Sequence, residues 1–218
     1  MQDADLQAAT ASEPLSMNEE YDMQRSWRTD NDKLTFIVCK SREESEIASQ
    51  TVQSGQDDRP ERMIGDINLF LFEPEDDDDD EDEKDSGEQV PPNRTKPSNA
   101  LVGEIELMIA RKDLHRQGYG RAALLSFTAY ILDTWTQIAA EYCGTSEGQP
   151  PRALQYLRVK INQSNARSIA LFQSIGFVQT AAGANYFGEV ELRWQPGRSE
   201  LETRKGWDEL QLLEYVEK

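Results

Sequence analysis

The stretch from Leu101 to Arg121, LVGEIELMIARKDLHRQGYGR, constrains the fold more than any other. A strand-like run ends at Ala110, and a short loop rich in Arg and Lys follows. Gly118-Tyr119-Gly120 then opens a long helical pattern. Free backbone N–H groups at a helix start point outward, and the helix dipole favours an anion there. Glycines carry no Cβ, so phosphates can come close to that backbone. Strand, basic turn and glycine-led helix start therefore form a seat for a phosphate-bearing ligand.

Two nucleotide motifs compete for the same residues. Gly118-Tyr119-Gly120-Arg121-Ala122-Ala123 matches the dinucleotide pattern G-x-G-x-x-A. That pattern follows its strand at once and meets an acidic strand end about 20 residues on. Here Arg111 to Gln117 intervene, and the chain near Glu141 is still in helical periodicity. A Walker loop requires Gly-Lys-Ser/Thr after its spacer, which is absent here.

The chain has 218 residues, enough for one ordinary domain plus tails. Hydrophobic residues make up 37% of it, low for a fully packed chain, so long solvated segments are expected around a compact core. A net charge of −18 argues against nucleic acid as a partner. Two cysteines, Cys39 and Cys143, are too few for a disulfide framework, and a single histidine leaves no plausible zinc set, so no metal is expected. No apolar run reaches the roughly 18 residues of a membrane span. MQDADLQAAT lacks the basic and apolar regions of a signal peptide. These features predict a soluble cytoplasmic protein.

Ser16-Met17-Asn18-Glu19 fits a capping box and starts a helix to about Arg28, with Trp27 packing rather than binding a ligand. Leu34 to Val38 reads as a strand, about Ser41 to Glu61 as a loop or edge excursion, and Met63 to Phe72 as a central strand. Ten acidic residues between Glu75 and Asp85 repel one another and bury nothing. With the prolines that follow, they predict a disordered insertion over about 73–99. The alternative is an arm for a basic partner or a metal. Leu124, Phe127, Ile131, Trp135 and Ile138 share one helical face to a stop near Tyr142. Leu154 to Ile161 is a further strand, Ser164 to Ser174 a helix, and Phe177 to Thr180 with Tyr186 to Trp194 a final strand pair. The domain is expected over 1–194. A tail over 195–218 is expected to carry a helix from Trp207 to Val216, which docks on the domain or contacts a partner.

Leu154 to Phe177, LQYLRVKINQSNARSIALFQSIGF, joins the first stretch in a resemblance to the GCN5-related N-acetyltransferases, the GNAT superfamily. Its acetyl-CoA signature, Gln/Arg-x-x-Gly-x-Gly/Ala, lies on His115-Arg116-Gln117-Gly118-Tyr119-Gly120. His115 stands at the usual Gln/Arg position and reads as a surface residue. Asn165-x-x-Ser168 with Gly176-Phe177 resembles the branch that acetylates protein N-termini. Thr10 to Leu15, Gly65 to Leu71 and Gly103 to Glu106 resemble the eukaryotic N-acetyltransferase 9-like proteins. The likeness runs from about Ala9 to Trp194, insertions apart.

The resemblance implies an α+β (α/β) fold: a mixed, mostly antiparallel sheet flanked by helices, splayed between the strand ending at Ala110 and the strand ending near Ile161. It implies acetyl-CoA as co-substrate, with the pantetheine arm along Met108, Ile109 and Ala110. The pyrophosphate would rest on Arg116, Gln117, Gly118, Tyr119, Gly120 and Arg121, and Asn165 would bond the arm. Family members carry a strand and helix ahead of the Thr10 stretch. Here they are expected to be missing, which bears on the substrate side.

Direct transfer to an amine needs a base, an oxyanion donor and an acid. Alternate strand residues share a face, so Glu104, Glu106 and Met108 point together. Glu106 is the first candidate base and Glu104 the second; the alternative makes both rim carboxylates paired with Arg or Lys. Backbone N–H near Ile109 suits the oxyanion. Phe172 stands where much of the superfamily has an acidic tyrosine. Ser168 replaces it, either as the acid or as a helix-start cap. The acceptor implied is a protein or peptide amine. The second hypothesis is an acetyl-CoA-binding, catalytically weak scaffold with a cytoskeletal partner.

Overall fold

The computed structural model describes residues 15–42, 51–74, 99–144 and 152–217. The acidic segment, the Thr10 stretch and the Gly148 turn lie outside these residues. Helix α1 (Met17–Thr29) starts on the expected capping box: Glu19 N–H donates to Ser16 Oγ, and Ser16 N–H donates to Glu19 Oε2 at 2.8 Å. Its Trp27 meets Phe70 edge-on at 6.2 Å, so it packs as expected.

Strands β1 (Lys33–Cys39), β3 (Met63–Phe72), β4 (Ala100–Ile109), β5 (Ala153–Asn162), β6 (Val178–Gln179) and β7 (Glu189–Trp194) form one sheet in the order β1-β3-β4-β5-β7-β6. The β4–β5 pair is parallel and the others antiparallel, which is the mixed sheet expected. Helix α2 (Tyr119–Cys143) crosses one sheet face, and α3 (Ala166–Ile175) follows β5. Alternation along the strands puts Ile67, Leu69, Leu71, Ile105, Leu157, Val159 and Ile161 on the covered face against Leu124, Phe127 and Ile131. Phe36 of β1 packs on the α2 rings Phe127 and Tyr130, at 5.4 and 5.0 Å.

Leu157 is fully buried where β5 lies between β4 and β7. Leu157→Ala is expected to cost about 2–5 kcal/mol in urea denaturation of the whole chain, because the surrounding strands cannot close the void.

Two expectations are corrected. The polar stretch before Met63 contains a strand, β2 (Thr51–Gln53). The expected helix from Trp207 to Val216 is absent. In its place a short helix, α4 (Arg198–Glu202), precedes strand β8 (Glu214–Val216), which pairs in parallel with β2. A long-range strand partner overrides the local helical spacing. The segment after Pro196 docks on the domain: Leu201 is fully buried in the core, and Arg198 reaches Asp133 of α2 at 3.1 Å. No described helix is long and apolar enough to cross a membrane.

Candidate active site

The central feature is where one strand pairing ends. Strand β4 pairs with β5 from Ala100↔Ala153 to Glu104↔Arg158, and no further. It stays paired with β3 as far as Ile109. Past Glu104, one edge of β4 is therefore open toward β5, the splayed cleft the sequence implies. Ala110 N–H donates to Ile64 O at 2.8 Å, so the backbone of Ala110 faces β3. Backbone groups in a strand alternate sides, so Met108 also faces β3, whereas Leu107 and Ile109 turn N–H and C=O to the cleft. The Ile109 N–H thus faces the cleft, while the amides of Met108 and Ala110 face β3.

The turn after β4 is built from side chains that close on the backbone. Leu114 is buried and anchors it. Gln117 Nε2 donates to Asp113 O at 2.7 Å, and His115 Nε2 donates to Ile109 O at 2.7 Å. His115 is exposed, as expected, but it also pins the loop to the cleft-facing carbonyl. Arg116 has φ +64 and Gly118 φ +93. Gly118 caps α2 in the left-handed region, where glycine is strain-free, and a Cβ there would meet nothing within 4 Å. Residues His115 to Gly118 are exposed, so the amides at the start of α2 open to solvent. Gly120 lies against Leu107, Ile109 and Leu171, and an added Cβ would come 3.3 Å from Leu171 Cδ2. An anion fits this seat: open amides, a helix dipole, and space above Gly118.

Side chains expected on the ligand are in part already engaged. Arg121 donates through Nε to Lys205 O and through one terminal nitrogen to Ser174 Oγ, each at 2.6 Å. Its backbone N–H lies in the first turn of α2. Asn165 Oδ1 accepts from Ser168 N–H at 3.2 Å and caps α3. Asn165, not the Ser168 hydroxyl, closes the helix start, and that hydroxyl has no partner among the described residues. Phe172 is buried against Phe177 at 5.0 Å and offers no proton.

The two glutamates separate. Glu104 is held by Arg158 Nε at 2.6 Å, with Lys160 Nζ 3.7 Å away. Arg158 is buried and also lies over the Phe72 ring, 4.9 Å from its centroid. Glu104 is the paired rim carboxylate of the alternative reading. Removing it would strand a buried cation, so it serves the fold before any chemistry. Glu106 stands where the β4–β5 pairing has ended. Solvent reaches it across the open cleft, yet protein crowds its carboxyl from below. That crowding, then the charges of Glu104 and Asp66, push its pKa above the ordinary glutamate range. A carboxyl raised in this way is better matched to accept a proton near neutrality.

Asp66 and Asn68 of β3 were not singled out by the sequence. Asn68 is the register partner of Glu106, and Asp66 that of Met108, so all share the sheet face opposite α2. The signal that could have found them is their alternate spacing inside an otherwise apolar strand.

The splayed parallel pair and the glycine-led helix start are the features that the resemblance implies for an acetyltransferase fold. A family model described as "Acetyltransferase (GNAT) domain" matches residues 1–178. The chain belongs to this GNAT family and is an N-acetyltransferase, one that moves an acetyl group to an amine. It is 38% identical to an N-acetyltransferase 9-like protein of Schizosaccharomyces pombe, over 88% of this chain and 83% of that one. It is 35% identical to the alpha/beta-tubulin-N-acetyltransferase 9 of Drosophila melanogaster, over 88% and 73% of the two chains. Among solved structures, an acetyltransferase from Thermus thermophilus aligns over 86% of this chain and 79% of its own. Its sequence identity is 16% and its TM-score 0.45.

Proposed function

We propose that the protein transfers the acetyl group of acetyl-CoA to an amine of another protein, with Glu106 as the base. The end of β4–β5 pairing at Glu104↔Arg158 carries the reading, because it frees the Leu107 backbone and the Ile109 N–H beside a carboxylate with no cationic partner among the described residues. The pantetheine arm would lie along that free edge, in the way an extended peptide adds to a sheet. Amides from Gly118 to Arg121 would face the pyrophosphate. The acetyl thioester supplies the electrophilic carbonyl. Glu106 would take the proton from the incoming ammonium, directly or through one water. Ile109 N–H would hold the developing oxyanion, and the partner-free Ser168 hydroxyl would meet the leaving thiolate.

The relatives named for alpha- and beta-tubulin support a cytoskeletal protein as the acceptor. Binding and transfer are tested together. Gly118→Asp puts a carboxylate beside the anion seat, and calorimetric titration with acetyl-CoA is expected to show affinity lowered about tenfold or more. Equal affinity in variant and wild type would remove the assignment of the seat. Transfer is read by mass spectrometry on tubulin N-terminal peptides; acetyl-CoA binding without transfer would point to a scaffold.

A further inference from the structure

Cations on the sheet face opposite α2 are unevenly shared. Arg158 and Lys160 of β5 both go to Glu104. Lys33 of β1 goes to Asp30 and Asp32. Glu106 and Asp66 have no cationic partner among the described residues. They are diagonal neighbours across β3 and β4, a spacing of roughly 7 Å between Cβ atoms. Asn68 stands between them. It is 2% exposed, and its Nδ2 donates to Asp66 Oδ2 at 2.8 Å, which fixes that carboxylate in place. Its Oδ1 is buried with no hydrogen-bond partner. A buried amide oxygen without a donor costs free energy unless something supplies one. Two carboxylates without a cation and a buried amide oxygen without a donor thus share one face of the β3–β4 ladder, beside the point where β4 and β5 part. All three accept hydrogen bonds and none donates to this space. A group with several N–H bonds and a positive charge is the complement they lack.

We propose that Glu106 and Asp66 together receive the acceptor as a primary ammonium, with Asn68 positioning Asp66. The inference rests on the acetyl-transfer reading of the same cleft and extends it to a second carboxylate. In the reaction Glu106 accepts one proton from the ammonium, and the freed lone pair forms the N–C bond to the thioester carbonyl. The C–S bond then breaks, and the sulfur keeps its electron pair or takes a proton. Between these events the nitrogen is positive again until its second proton passes, directly or through water, to the departing thiolate. An ionised Asp66 beside it stabilises that charge and orients the remaining N–H bonds. Asp66 itself is held above the usual aspartate range by burial, opposed by its bond from Asn68. Binding a cation between the two carboxylates lowers the cost of ionising both.

The test uses the whole chain loaded with CoA, and heptapeptides bearing tubulin N-terminal sequences. Each peptide is supplied with a free α-amino group and in Nα-acetylated form. Wild type is expected to bind the free-amine peptides about tenfold more tightly than the capped ones, and Asp66→Asn to lose that preference. Asp66→Glu, which keeps the charge, is expected to restore part of it. Carbon-detected titration of Glu106 is expected to show a lower pKa in Asp66→Asn, because one like charge is gone. No preference in wild type overturns the inference, as does a preference unchanged in a folded Asp66→Asn. An unmoved Glu106 titration overturns it too. A clear preference for the free amine with no acetyl transfer from acetyl-CoA would overturn the proposed function instead.

Discussion

Glu106→Gln is expected to lower kcat for acetyl transfer about 10²- to 10⁴-fold, the range of a lost general base. Acetyl-CoA affinity should stay within twofold of wild type, because the proposed seat would use backbone from β4 and the start of α2. The amide is nearly the same size as the carboxylate, so the β3–β4 ladder around its register partner Asn68 is kept. Its pH profile gives the second arm. Wild-type kcat/KM should fall toward acid as Glu106 protonates. Crowding by protein, Glu104 and Asp66 all raise its pKa, so that limb should lie above the ordinary glutamate range. The amine's own ionisation adds a separate limb on the alkaline side of neutrality. In Glu106→Gln the acid limb should vanish while the amine's limb remains. An acid limb that survives unchanged places the base elsewhere, and a large loss of acetyl-CoA affinity makes the effect structural.

The contrast between Glu104 and Glu106 shows how far the sequence could be read. Alternation along β4 puts both carboxylates on one face, and the structure keeps them there. What separates them is Arg158, which comes from a strand 54 residues later. No local pattern reports that pairing; it depends on where β5 stops following β4. The helix of Leu124, Phe127, Ile131 and Ile138 was legible because a 3.6-residue repeat needs no partner to be seen. The segment from Trp207 was misread for the opposite reason. Its spacing suits a helix, but Thr51–Gln53 offers a strand edge and Asp58 accepts from the Tyr215 hydroxyl at 2.6 Å. The glycine turn was legible as the start of a helix. The occupation of Arg121 by Lys205 O, and of Asn165 by its own helix, was not. Such side chains close backbone groups whose positions only the fold decides. Asp66 and Asn68 were hidden by the apolar weight of their strand, although their period of two marked a second, polar face.

Gly65→Ala is expected to produce the largest loss of stability, more than about 3 kcal/mol in urea denaturation. An ideal Cβ on Gly65 would lie 1.9 Å from Met108 O, 2.9 Å from Met108 C and 3.0 Å from Ile109 Cα. All three are backbone atoms, so no rotamer change relieves the contact. β3 must instead part from β4 at the Gly65↔Ile109 end of their ladder. The bond from Ala110 N–H to Ile64 O lies at the same corner and would stretch with it. Ile109 is also the residue whose amide faces the cleft, so the damage reaches the site. Acetyl-CoA affinity, measured below the unfolding midpoint, should therefore fall along with stability. Gly55→Ala is the matched control. Gly55 has φ +72 and nothing within 4 Å of an added Cβ, so only left-handed strain, about 1–2 kcal/mol, should appear, with affinity unchanged. If Gly65→Ala matches wild type in both measurements, β3 does not hold the cleft end of β4 as closely as these contacts require, and the geometry assigned to Ile109 falls with it.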